Sequence, residues 1–173
     1  MVTIDAAAEK FGMPMGPIEL ADQVGLDICL DVGDMLRSKF GNLLPPTPAW
    51  LRDKVARAEL GGKTGKGFYV WKDGKADKTA GSPATTQPTE EMIDRLILPM
   101  SNVCVACLRE GIVDNADVVD GAMIFGTGYA PFRGGPLNYA RIRGPENVVS
   151  TLRALEAKFG GRFAPDAGWE GFR

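Results

Sequence analysis

The 173-residue chain contains no histidine. Histidine is the usual general base near neutral pH and a common metal ligand. Without it, Ser–His, Cys–His and His–metal chemistry cannot occur within these residues alone. Cysteine is scarce as well. Three thiols, an odd number, argue against a disulfide framework and fit a reducing compartment. No apolar run approaches the roughly 20 residues of a membrane-spanning helix. The opening Met1-Val2-Thr3-Ile4-Asp5 lacks the basic and then apolar layout of a signal peptide, and Gly171-Phe172-Arg173 is not a peroxisomal address. Neither charge dominates: 20 Lys and Arg stand against 22 Asp and Glu. A net charge of −2 gives no broad attraction to nucleic acid or anionic membrane. These absences leave a cytoplasmic globular protein as the expectation. The 45% hydrophobic and 24% charged composition suits one domain with a real core, or two small halves.

What is present is helical periodicity punctuated by glycine and proline. Residues 4–10 are alanine-rich and read as the end of a helix, stopped at Gly12 and Pro14. Pro17 suits a first helical turn, and Ile18, Leu20, Ala21 and Val24 give that short helix an apolar side before Gly25. A longer helix over 26–40 follows, with Leu26, Cys29, Leu30, Gly33, Leu36 and Phe40 as its inward stripe. A helix over 49–60 is expected to bury Trp50, Leu51, Val55 and Leu60. After the glycine-rich 61–67 loop, Phe68-Tyr69-Val70-Trp71 and the Asp73-Gly74 turn predict a small hairpin or extended arm. Residues 79–88 read as a linker. Thr89 caps a helix running to about 110, with Pro99 expected to kink it. Its apolar face is Ile93, Leu96, Ile97, Met100, Val103, Cys104, Cys107 and Leu108. Asn115 caps the next helix, and a last long helix spans 145–159. Phe163, Trp169 and Phe172 in the tail need something to pack against.

Gly16-Pro17 is repeated by Gly135-Pro136, 119 residues on. At that spacing Ile18 meets Leu137, Leu20 meets Tyr139, Ala21 meets Ala140 and Gly25 meets Gly144. A duplicated helical unit is the natural reading. The second copy has the 89–110 helix ahead of it and the first does not, so the chain reads like a piece of something longer. The expected architecture is all-α: two tandem helical repeats, the first truncated, with the arm between them. The corresponding organisation is 1–78, a 79–88 linker, and 89–173.

The segment Gly12-Met13-Pro14-Met15-Gly16-Pro17, with Leu20, Asp22 and Gly25-Leu26-Asp27, resembles the C-terminal domain of 3-hydroxyacyl-CoA dehydrogenases. Lys63-Thr64-Gly65-Lys66-Gly67-Phe68-Tyr69 is similar to the K-x-G-x-G-F-Y segment that follows it in that family. Pro131-Phe132-Arg133-Gly134-Gly135-Pro136 is similar to the divergent second repeat of the multifunctional β-oxidation α-subunit, which joins an enoyl-CoA hydratase to the dehydrogenase. The resemblance implies a helical region following an NAD-binding Rossmann domain. It places the catalytic His–Glu pair and the NAD site on that domain, so no catalytic or cofactor-binding residue is carried over to this chain. It also implies that Met13, Pro14, Met15, Gly16, Pro17 and Leu20 face the acyl-CoA site across the domain junction. The implied partners are the Rossmann and hydratase parts of the parent chain, acyl-CoA, and a second copy in a homo-oligomer. A stand-alone helical interaction module with the same fold is the alternative.

Other candidates have plainer explanations. Gly62-Lys63-Thr64 looks like the end of a phosphate-binding loop, but the first required glycine falls on Arg57 and no strand precedes it. Lys63, Lys66, Lys72, Lys75 and Lys78 read as a solvated loop rather than a CoA phosphate contact. Cys104 and Cys107 have redox spacing but lie mid-helix, where core packing explains them. No metal site is expected. Asp22 reads as a local cap or ion-pair partner. Arg133 is open between a phosphate ligand and a brace on a helix C-terminus.

Overall fold

The glycine–proline punctuation sets the element boundaries. The computed structural model describes residues 1–41, 44–79 and 87–173. In chain order the α-helices are α1 Val2–Phe11, α2 Pro17–Val24, α3 Leu26–Phe40, α4 Ala49–Ala56, α5 Glu90–Arg109, α6 Ala116–Thr127, α7 Pro136–Arg143 and α8 Pro145–Phe159. Among the described residues the fold is all-α, relieved by one antiparallel hairpin, β1 Val70–Lys72 with β2 Lys75–Asp77. The hairpin turn uses positive φ at Asp73 and Gly74, as the dipeptide predicts. Most of the expected linker, 80–86, lies outside the described residues.

The chain divides into two compact units. One comprises Met1–Ala6 and Met15–Gln87, the other Ala7–Pro14 and Pro88–Arg173.

The first unit holds α2, α3, α4 and the hairpin. Among its described residues only two hydrophobic side chains are buried, Leu26 and Tyr69. Its interior is organised instead around two fully buried carboxylates, Asp5 and Asp22. The expected inward stripe of α3 is only partly realised. Leu26 is buried, Cys29, Leu30 and Gly33 are half-buried, but Leu36 and Phe40 are 36% and 54% exposed. Trp50, expected inside, is 52% exposed and meets the Phe68 ring edge-on at 5.5 Å. α4 also stops at Ala56, short of the expected residue 60.

The second unit has an apolar core. Leu98, Val105, Leu137, Val148, Leu152 and Phe163 lie in one cluster, and Phe11, Ile93, Ile97 and Tyr129 in another. α5 serves both clusters, which explains where its expected face was wrong. Its buried residues are Ile93, Asp94, Ile97, Leu98, Ser101, Cys104 and Val105, whereas Val103 is 62% exposed. A helix packed on two sides buries a wide arc that a single stripe does not describe. Pro99 falls within the continuous span of α5. Thr89 and Asn115 cap α5 and α6 by accepting from Met92 N and Val118 N. The tail finds its packing here: Phe163 and Trp169 are buried, and Phe172 meets Trp169 at 5.3 Å.

The duplication is explicit in the backbone. Every bound of α2 and α3 recurs 119 residues later in α7 and α8. Gly25 and Gly144 make the same turn between them, at φ 108°, ψ 129° and φ 91°, ψ 117°.

Candidate functional site

The turn that carries the family signature leads into the N-terminus of α2. A helix start exposes unpaired N–H groups and partial positive charge, so it is a natural place for an anion. Here that place is taken. Asp5, fully buried, accepts from Ile18 N at 2.7 Å and Glu19 N at 3.1 Å, and Tyr69 Oη donates to it at 2.8 Å. A Cβ on Gly16 would come within 2.1 Å of the Asp5 Cβ, so only glycine lets the carboxylate close on the helix. The second unit repeats the device. Asp120 accepts from Leu137 N at 2.7 Å and Asn138 N at 2.9 Å, and a Cβ on Gly135 would lie 2.3 Å from the Asp120 Cβ. Burial raises the Asp120 pKa, against the two backbone N–H groups that lower it.

Among the sequence candidates, Met13 and Pro14 belong to the second unit, where Met13 is half-buried against the Phe11 cluster and Pro14 is exposed beside Gly128. Met15, Gly16, Pro17 and Leu20 belong to the first unit. There Gly16 is buried under Asp5, Met15 is half-buried, and Pro17 and Leu20 are exposed, Leu20 by 48%. The accessible members therefore offer apolar contact, with no free acid, base or nucleophile among them.

Asp22 does not act locally. Its carboxylate reaches 46 residues along the chain, accepting from Phe68 N and Tyr69 N at 2.8 Å each and from Trp71 Nε1 at 3.0 Å. Gly67 packs so closely that a Cβ there would sit 2.2 Å from Asp22 Oδ1. The K-x-G-x-G-F-Y segment is thus a strap tied to Asp22. Its lysines are engaged by carboxylates: Lys63 pairs with Asp27 at 2.5 Å and Lys66 with Glu59 at 2.8 Å. Hydrogen bonds from Lys66, Lys54 and Arg57 hold the Glu59 pKa down to about 2. Arg133 braces a helix end: its Nε donates to the carbonyl of Phe11, the last residue of α1, at 2.7 Å, and its guanidinium lies 4.0 Å over the Phe11 ring.

Cys104 is buried and desolvation pushes its thiol up to about 12, so it is unreactive at neutral pH. The described residues contain no cluster of three or more His, Cys, Asp or Glu able to hold a metal. No described helix is long and apolar enough to cross a membrane. NAD does not fit these residues. A dinucleotide site needs a strand leading through a glycine-rich turn to a helix N-terminus free for pyrophosphate. Here the described sheet is one hairpin, and the Gly-Pro helix starts are filled by Asp5 and Asp120. One open groove of about 1050 Å³ lies in the second unit near the start of α8. It contains none of the sequence candidates, and Arg141 and Arg153 there are offset by Glu146 and Glu170.

Asp5 and Asp120 escaped the sequence reading. Each lies one helix upstream of the residues it caps, 13 residues before Ile18 and 17 before Leu137, and an acid on the helix preceding a Gly-Pro helix start is the signal that would have found both.

Comparison with known proteins bears directly on this geometry. Residues 1–71 match the family model described as 3-hydroxyacyl-CoA dehydrogenase, C-terminal domain. Across 95% of its length the chain is 36% identical to the fatty acid oxidation complex subunit alpha of Shewanella amazonensis, and across 94% it is 33% identical to that of Shewanella baltica. It spans 24% of each of those relatives. Among solved structures, 3-hydroxybutyryl-CoA dehydrogenase of Escherichia coli K12 aligns over 98% of this chain and 53% of its own, with a TM-score of 0.80 at 19% identity. The dehydrogenase part of multifunctional enzyme 1 of C. elegans aligns over 98% of this chain and 41% of its own, with a TM-score of 0.62 at 17% identity. Residues 1–71, which hold the strap and the capped Gly-Pro helix, thus match the C-terminal domain of the 3-hydroxyacyl-CoA dehydrogenase family.

Proposed function

We propose that the chain is the helical C-terminal part of an NAD-dependent L-3-hydroxyacyl-CoA dehydrogenase of fatty-acid β-oxidation. Its work there is to complete the acyl-CoA site and to contact the other domains or subunits. The observation that carries this reading is similarity over 95% of the chain to a fatty acid oxidation complex alpha subunit. The parent reaction takes L-3-hydroxyacyl-CoA to 3-oxoacyl-CoA, passing a hydride to NAD and releasing a proton. The chemical groups for that step lie on the Rossmann part of the parent protein. These residues supply no histidine, and their buried carboxylates are occupied, Asp5 and Asp120 by helix starts, Asp22 by the strap and Asp94 by Arg143.

In this reading the accessible Met15, Pro17 and Leu20 of the first unit form an apolar edge against the acyl-CoA. Residues 1–78 and 89–173 are the two repeats, joined by a linker over 79–88. The parent is a cytoplasmic homo-oligomer. The test is a chimera in which this chain replaces the matched segment of a fatty acid oxidation complex alpha subunit. Reduction of acetoacetyl-CoA by NADH is expected to survive the exchange. Met15→Asp and Leu20→Asp are expected to raise KM for the acyl-CoA while leaving KM for NADH unchanged. A folded but inactive chimera would refute the assignment, and an active chimera indifferent to both substitutions would remove these residues from the substrate site.

A further inference from the structure

The helix that carries the proposed substrate edge is not held by an apolar core. Only one residue of α2 is buried, and it is the carboxylate-bearing Asp22. Its counterpart in the repeat, α7, buries Pro136, Leu137 and Ala140. A short helix with its apolar side outward gains little from burial, so polar ties must fix its pose. Those ties sit toward both of its ends, within the first unit. At the N-terminus Asp5 accepts from Ile18 N and Glu19 N. Near the other end Asp22 accepts from Phe68 N, Tyr69 N and Trp71 Nε1. A Cβ on Gly61 would lie 2.0 Å from the Asp22 carbonyl oxygen, so the strap backbone lies directly against the helix.

One residue joins the two ties. Tyr69, 5% exposed, donates its N–H to Asp22 Oδ2 and its phenol to Asp5 Oδ2, each at 2.8 Å. Burial, then the Asp5 hydrogen bond, push the phenol pKa up, so it remains a donor across the neutral range. The second unit lacks this member. Asp120 accepts from Leu137 N and Asn138 N and from no side-chain donor among the described residues. There the buried apolar residues of α7 hold the helix instead. We propose that Tyr69 is a positioning residue for the acyl-CoA edge: by linking Asp5 to Asp22 it fixes α2, and through α2 the placement of Met15, Pro17 and Leu20. Tyr69 is itself too buried to meet the ligand. This role rests on the proposed function, which gives that edge to the acyl-CoA.

Tyr69→Phe keeps the ring and the N–H bond to Asp22 and loses only the bond to Asp5. In the chimera described above it is expected to raise KM for acetoacetyl-CoA about fivefold, with kcat and KM for NADH changed less than about twofold. In the Leu20→Asp background it is expected to add less than about twofold, because the edge it positions is already spoiled. Val148→Ala hollows the core of the second unit, controls for lost stability, and is expected to leave KM for the acyl-CoA unchanged. A second measurement needs no activity. In amide hydrogen exchange of the 173-residue chain, Tyr69→Phe is expected to speed the α2 amides about tenfold, as for one lost hydrogen bond to a charged group, and to leave those of α7 unchanged. An acyl-CoA KM that responds to Leu20→Asp but not to Tyr69→Phe would overturn the positioning role and leave the proposed function standing. Indifference to both, or a folded but inactive chimera, would overturn both. Unchanged exchange in α2, or an equal KM rise in Val148→Ala, would reduce Tyr69 to a part of the fold and overturn the role.

Discussion

Removing the Asp22 carboxylate should unfasten the strap and unfold the first unit before the second. Asp22 is fully buried and accepts three hydrogen bonds, from Phe68 N, Tyr69 N and Trp71 Nε1. A hydrogen bond to a charged group contributes about 1.5–3 kcal/mol, and a buried donor left unpaired costs about 1–3 kcal/mol. Phe68 N and Trp71 Nε1 are only part-buried and recover water, so Tyr69 N bears most of the loss. Asp22→Ala should therefore cost about 3–4 kcal/mol in all. With a urea slope of about 2 kcal/mol per molar, the midpoint of the first unit should fall by about 1.5–2 M. The assay is urea unfolding followed by far-ultraviolet circular dichroism, with tryptophan fluorescence in a Trp169→Phe background so that only Trp50 and Trp71 report. Gly67→Ala, which drives a Cβ to 2.2 Å from the same carboxylate, should give a similar loss, and the two together should be less than additive. A midpoint shift of Asp22→Ala corresponding to less than about 1 kcal/mol would refute the reasoning, because the strap would then not depend on the carboxylate.

Five further outcomes follow from the same geometry. Gly16→Ala and Gly135→Ala should each destabilise by about 2 kcal/mol or more, since the added carbon meets Asp5 and Asp120 at 2.1 and 2.3 Å; thermal melts of the pair check that the two caps are equivalent. Arg143→Ala should cost about 3 kcal/mol by stranding Asp94, which is 8% exposed, and Asp94→Leu in the same chain should restore much of it. Glu59 has a folded pKa near 2 against an ordinary 4.5, so its contribution is fully present above 4.5 and is lost as pH falls toward 2; Glu59→Gln should flatten that acid limb in urea midpoints. Asp120 runs the other way, because its raised folded value gives stability present below the ordinary 3.8 and lost as pH rises through the folded value. Finally, Cys104 should resist thiol reagents in the native chain and react only on unfolding, as mass spectrometry of labelled peptides will show.

The sequence made the architecture legible because helix starts and stops are local. Pro17 and Pro136 at first turns, Gly25 and Gly144 at the turns between helices, and Thr89 and Asn115 as caps are each decided by a few neighbouring residues. The Gly-Pro repeat then disclosed the duplication. What stayed hidden depends on distance along the chain. Asp22 reaches residues 68–71 and Arg133 reaches Phe11, pairings that no periodicity encodes. The α3 stripe was misjudged for a different reason. Apolar spacing says that Leu36 and Phe40 share a face with Leu26, but not whether anything covers them. In the second unit α5 does so for Leu155 and Phe159; in the first unit no described helix has that role. The proposed substrate edge is the least legible part, since Met13 to Leu20 offer apolar contact that packing and ligand binding use alike.

The proposed function gives these residues the shaping of an acyl-CoA site and none of its chemistry. The most direct test is oxidation of NADH by the purified 173-residue chain in the presence of acetoacetyl-CoA, followed by absorbance. The account predicts no rate above the protein-free control at any pH where the chain is folded. A rate that scales with protein concentration and persists through repurification would contradict it, because catalysis would then reside in a chain without histidine.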